Sequence, residues 1–146
     1  MKKMMTALAL AAGTTLAMPA VADEAPNKLI TILTAPEPQT QLMAMVLTMQ
    51  AVQQGAEARI MLCGPAADIA LQDAPDSATA GQPPRDMSPQ GLMQGIMQAG
   101  AKVEVCAIYL PAKGVDASAL LEGVTPAAPP ELAGALIAPG TTVLSF

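Results

Sequence analysis

The sequence contains no histidine and no tryptophan, and Tyr109 and Phe146 are its only aromatic residues. Without imidazole there is no His-based catalytic triad, no histidine-held haem and no imidazole metal site. Two isolated rings make no stacking platform for nucleic-acid bases. Charge is scarce too: 13% of residues are charged, and seven basic against twelve acidic residues leave a formal charge of −5. That balance excludes a basic groove for phosphates, so no nucleic-acid partner is expected. The acidic residues are scattered, without calcium-loop spacing, and read as a solvated surface. Cysteine is limited to Cys63 and Cys106.

Apolar residues are what the chain has in excess, at 52% of 146 residues and a mean hydropathy of +0.42. The length suits one domain with one core. Part of the excess lies at the N-terminus. Lys2 and Lys3 form a charged region, Met4–Leu16 an apolar one, and Ala20–Ala22 a small-x-small pattern before Asp23. This is the pattern of a secretory signal peptide cleaved after Ala22. The apolar run, broken by Thr14 and Thr15, is short for a membrane anchor. No cysteine follows it for lipid attachment. Cleavage takes 22 residues and two of the seven basic side chains, leaving 124 residues with five basic and twelve acidic groups, a charge of −7. The expectation is one periplasmic domain over residues 23–146, free of the membrane once the signal is removed.

Within that domain, strand and helix patterns alternate. Lys28–Thr34 is a β-branched run that ends in the proline-containing loop Ala35–Pro38. Gln39–Gln54 carries Leu42, Met45, Met49 and Val52 at helical spacing, with Gly55 at the stop position. Arg59–Cys63 is a second apolar run, closed by Gly64 and Pro65. Residues 73–88 read as a long surface loop. Ser88 and Pro89 are an N-cap and first-turn proline for a helix that ends at Gly100. Gly91, Gly95 and Ala99 lie along one side of that helix and point to close packing there. Lys102–Leu110 reads as a third strand stopped by Pro111, with Lys102 and Glu104 at an exposed or interfacial strand start. Short helices around Ala117–Leu121 and after Pro129, then a strand Thr141–Phe146, complete the chain. Repeated strand–helix–strand units with near-continuous apolar strands predict an α/β fold, a mostly parallel sheet covered on both faces. Ligands of such sheets gather beyond the carboxyl ends of the strands. Cys63 and Cys106 both fall at or near such ends. Three states stay open for them: a disulfide, a reactive thiol, or an inert buried thiol.

The segment Gly100–Val115, with a strand entering Cys106, an apolar stretch, and then Lys113 and Gly114, resembles the active-site segment of the DsrE/DsrF/TusD-like sulfur-relay family. The opening strand, loop and long helix and the closing Thr141–Phe146 also fit, so the resemblance spans roughly residues 28–146. It implies a three-layer α/β sandwich assembled into homo-oligomers, trimers or hexamers. It implies that Cys106 accepts sulfane sulfur as a persulfide and relays it between donor and acceptor proteins. Lys113 and Gly114 match the basic-Gly end of the loop, and Cys63 is an extra thiol and possible redox partner. No cofactor is implied. A thiolate needs no separate general base to attack a sulfane sulfur, and Lys113 and backbone N–H groups are available to lower the Cys106 pKa.

Methionine raises a second function class. Met43, Met45, Met49, Met61, Met87, Met93 and Met97, with two thiols, are soft ligands suited to Cu(I), and Cys106 paired with Met87 through the long loop is the sharpest form. Against it, Met45/Met49 and Met93/Met97 are i,i+4 pairs on apolar faces, the positions of core fillers in a chain short of aromatic rings.

Overall fold

The computed structural model describes residues 27–146, so the expected signal peptide lies outside the described residues. Five strands, β1 (Lys28–Leu33), β2 (Glu57–Leu62), β3 (Lys102–Val105), β4 (Thr125–Pro126) and β5 (Thr141–Ser145), form one parallel sheet in the order β4-β3-β2-β1-β5. Between them run α1 (Pro38–Gln53), α2 (Asp76–Thr79), α3 (Pro89–Gln98), α4 (Tyr109–Lys113) and α5 (Pro129–Leu136), with 3-10 turns at Gly64–Ala70 and Ala117–Ala119. The fold class is as expected: a parallel sheet flanked by helices.

Side chains alternate across each strand, so every strand supplies both layers. Leu33, Ile60, Leu62, Val103 and Val105 point to one face and pack with Met45 of α1 and with Met93 and Ile96 of α3 in the main core. A buried hydrogen bond between the Thr31 and Thr48 hydroxyls, 2.7 Å, ties β1 to α1 on this face. α1 stops at Gly55, whose φ of +89° is the left-handed conformation a C′ glycine supplies. The step from β1 through β2 and β3 to β4 runs one way across the sheet, and the return to β5 runs the other way. A single crossover hand then requires α5 on the face opposite α1 and α3. There Glu131 of α5 pairs with Lys102 at 2.9 Å and Arg59 at 3.3 Å.

That second face corrects one expectation. Glu104 is no exposed strand start: it is 1% exposed and bonded to Arg59 and, at 3.0 Å, to Lys102. It therefore leaves the solvated acidic set. β3 is also shorter than expected, ending at Val105, and Tyr109–Lys113 is helix. Its neighbour β2 ends at Leu62 and turns away at Gly64-Pro65, where proline offers no N–H to extend a ladder. Pro111 sits within α4, in the first turn, where a missing N–H breaks no intrahelical bond. Segment 73–88 is more ordered than a plain loop, with the turn of α2 and a bridge between Gln82 and Met87.

Candidate functional site

The ladder between β2 and β3 pairs Leu62 with Val105, so the next residues outward, Cys63 and Cys106, stand side by side. Each is held by one further sheet-type bond, Cys63 N–H to the Leu33 carbonyl at 2.9 Å and Cys106 N–H to the Leu62 carbonyl at 2.8 Å. Their Cα atoms are 5.1 Å apart, within the disulfide range, and the two are joined. Of the three states the sequence leaves open, the disulfide is the one present, and no free cysteine remains. The register is what decides it, and register is set by tertiary pairing.

The bond lies at the surface. Both cysteines are half-buried and line an open cavity of about 640 Å³ at the carboxyl end of the sheet, with Pro65, Ile108, Tyr109 and Ala112 as its apolar walls. Cys106 also borders a second cleft of about 300 Å³ against α5, walled by Met61, Ala127, Leu132 and Leu136. Ile108 lines both clefts and is 77% exposed, an apolar ridge beside the sulfur pair.

Asp68 and Tyr109 join the site without a sequence signal having marked them. Asp68 sits in the turn that follows Cys63 and accepts from the Tyr109 hydroxyl at 2.6 Å and from Lys113 Nζ at 2.6 Å. Tyr109 and Lys113 are four residues apart on α4, hence on one helix face. Had 109–113 been read as helix, that spacing would have shown the pair. The Lys113 ammonium also lies 5.8 Å from the Tyr109 ring centre. Burial, then the hydrogen bond to Asp68 and its charge, push the Tyr109 pKa well above the ordinary range. The phenol is therefore a lasting neutral donor.

Of the residues expected from the sequence, Cys106, Cys63 and Lys113 come together around the cavity. Lys113 is already paired with Asp68. Gly114 ends α4 with φ +72°, outside the cavity wall, and lets the chain leave the helix just after Lys113. Met87 lines a different cleft, with Met43, Pro83, Pro84 and Arg85 and no cysteine. Among the described residues, no group of three or more His, Cys, Asp or Glu side chains is placed to hold a metal ion.

No protein-family model and no curated protein matches the chain. Solved structures do. The ychN protein of E. coli aligns with TM-score 0.63 and 18% identity over 83% of this chain and 99% of its own. MTH1491 of Methanobacterium thermoautotrophicum, a protein of unknown function, gives 0.60 and 12% over 82% and 98%. BT1422 of Bacteroides thetaiotaomicron, also of unknown function, gives 0.59 and 18% over 82% and 95%. At these identities the likeness is one of fold, and it takes in nearly the full length of each neighbour.

Proposed function

We propose that Cys63 and Cys106 form a thiol–disulfide centre for sulfur trafficking, in which reduced Cys106 carries sulfane sulfur as a persulfide and Cys63 closes the disulfide again. The observation that carries this reading is a bonded cysteine pair on neighbouring strand ends at the wall of an open cavity. Cys106 is the better carrier because it borders both clefts, whereas Cys63 borders one.

The steps balance as thiol exchange. A dithiol donor first reduces the pair and is itself oxidised to a disulfide. Cys106 gives its proton to solvent, and the thiolate attacks the outer sulfur of a donor persulfide. A new S–S bond forms on Cys106 as the donor's S–S bond breaks, the electron pair leaving on the donor thiolate. An acceptor thiolate then removes the outer sulfur in the same way. Alternatively, the Cys63 thiolate attacks Cys106 Sγ, expelling hydrosulfide and restoring the disulfide. No histidine base is needed. Lys113 is the last residue of α4, the helix that follows Cys106, and Gly114 ends that helix.

The reading includes export, where an oxidised pair persists, and assembly into homo-oligomers. Supporting the latter, α5 has no fully buried residue, and Ile137 and Val143 are 86% and 43% exposed on apolar side chains. The test is to reduce the protein, treat it with a persulfide donor and measure intact and peptide masses. Gain of one sulfur atom on Cys106, lost in Cys106→Ala and retained in Cys63→Ala, is the expected result. Cys63→Ala protein, in which the hydrosulfide-releasing step is blocked, that gains none overturns the reading.

A further inference from the structure

Among the described residues lining the cavity at the sulfur pair, Lys113 is the one cation and Asp68 the one anion, and they are bonded to each other. The remaining walls are uncharged: the two cysteines, apolar side chains, backbone and Tyr109. The Tyr109 hydroxyl donates to the same Asp68 oxygen as Lys113 Nζ, so the carboxylate is held in place by two donors on one helix. A thiol site meant for anionic sulfur compounds would leave its cation open. Here it is covered.

We infer that Asp68 is the charge-selecting residue of the site: by neutralising Lys113 it removes the attraction the cavity would otherwise hold for anionic sulfur compounds, and so suits the Cys63–Cys106 disulfide to thiols and persulfides with no charge beyond the attacking sulfur, the chemistry of a partner's cysteine in an apolar segment. The inference rests on the reading of this disulfide as a reactive centre and names its substrate class. The exchange itself is simple. A thiolate attacks Cys106 Sγ, a mixed disulfide forms, the Cys63–Cys106 bond breaks, and the electron pair leaves on Cys63. A second thiolate frees Cys106 and departs in the disulfide of the reagent. Each attacking thiol differs only in the charge its remote end brings to the cavity.

The oxidised protein is opened with mercaptoethanol, uncharged beyond its thiol, and with mercaptoethanesulfonate, which carries a fixed negative charge. Rates are compared per thiolate by mass analysis of trapped samples. Asp68→Asn keeps both hydrogen-bond acceptor contacts but uncovers Lys113, and raises the anionic-to-uncharged rate ratio about threefold or more, the scale of one unit charge acting across solvent-filled space. Lys113→Met leaves the Asp68 charge unopposed and lowers the ratio by a similar factor. Added salt shrinks the Asp68→Asn gain by screening. Opposite signs in the two variants are the mark of charge selection, since a clamp that is merely structural loosens alike from either side. Equal ratios in all three proteins, or shifts of the same sign, overturn the inference while leaving the disulfide reactive. A disulfide that neither thiol opens overturns the reading of the site and the inference with it. Should Asp68→Asn not fold, Lys113→Met and wild type decide the sign alone.

Discussion

At the scale of residues, two buried polar groups make sharp predictions. Tyr109 is the only tyrosine, so the ultraviolet phenolate band reports on it alone. In the folded protein that band should stay absent well above the ordinary phenol pKa of about 10. Folded and unfolded chains hold the same proton below that pH, and only the unfolded chain releases it above. Stability therefore falls as pH rises beyond about 10, and Tyr109→Phe removes that part of the alkaline slope in denaturant titrations. Glu104 is the second case. It balances Arg59, whose side chain is 13% exposed, and Lys102, which is 47% exposed. Glu104→Ala leaves the largely buried Arg59 with only the exposed Glu131 as a carboxylate partner and should cost about 3 kcal/mol in urea unfolding. A loss below about 1 kcal/mol would mean that solvent reaches the guanidinium. Neither role was legible beforehand, because a lone Glu in an alternating strand and a lone Tyr in an apolar run carry no local mark of the partners that bury them.

At the scale of elements, α3 shows how far local pattern carries. Ser88 was readable as its cap, and its hydroxyl does accept from the Gly91 N–H at 3.1 Å. Removing it by Ser88→Ala should cost about 1 kcal/mol. The two glycines read together from sequence separate in the structure. A Cβ on Gly91 would lie 2.9 Å from the Ser88 hydroxyl, whereas one on Gly95 meets only Met49 Cε of α1 at an ordinary 3.5 Å. Gly95→Ala is therefore expected to stabilise by up to about 1 kcal/mol through helix propensity. Gly91→Ala should do the reverse by disturbing the cap, and thermal melts of the pair should move in opposite directions. β3 and α4 show the limit of pattern. Ala107–Leu110 is apolar enough for strand, but a strand exists only where a neighbour offers a ladder, and β2 has already turned away.

At the scale of the whole molecule, the disulfide closes a sequence separation of 43 residues. By loop-closure entropy it contributes up to about 4 kcal/mol. The main core against α1 and α3 includes Cys106 only at its margin, so the reduced protein should remain folded at a lower denaturant midpoint. Reduction that unfolds the chain outright would make the bond a structural requirement and weaken its reading as a working redox pair. The face under α5 is the less finished one. It holds the Arg59, Lys102, Glu104 and Glu131 cluster and leaves Val143 open. Val143→Asp should lower the mass seen in sedimentation if that face joins copies of the chain.

By itself the sequence determined the class of fold and that both cysteines fall at strand ends. Apolar strands alternating with amphipathic helices have few ways to bury both faces other than a parallel sheet, and only two thiols were available at strand ends. Local periodicity is enough for both. What the tertiary structure alone decided is the state of those thiols and the charge around them. Whether Cys63 meets Cys106 depends on the Leu62–Val105 register, and whether Lys113 is free depends on Asp68, 45 residues away in the chain. Those are distances between segments that no local pattern encodes, fixed only when the sheet brings β2 and β3 side by side.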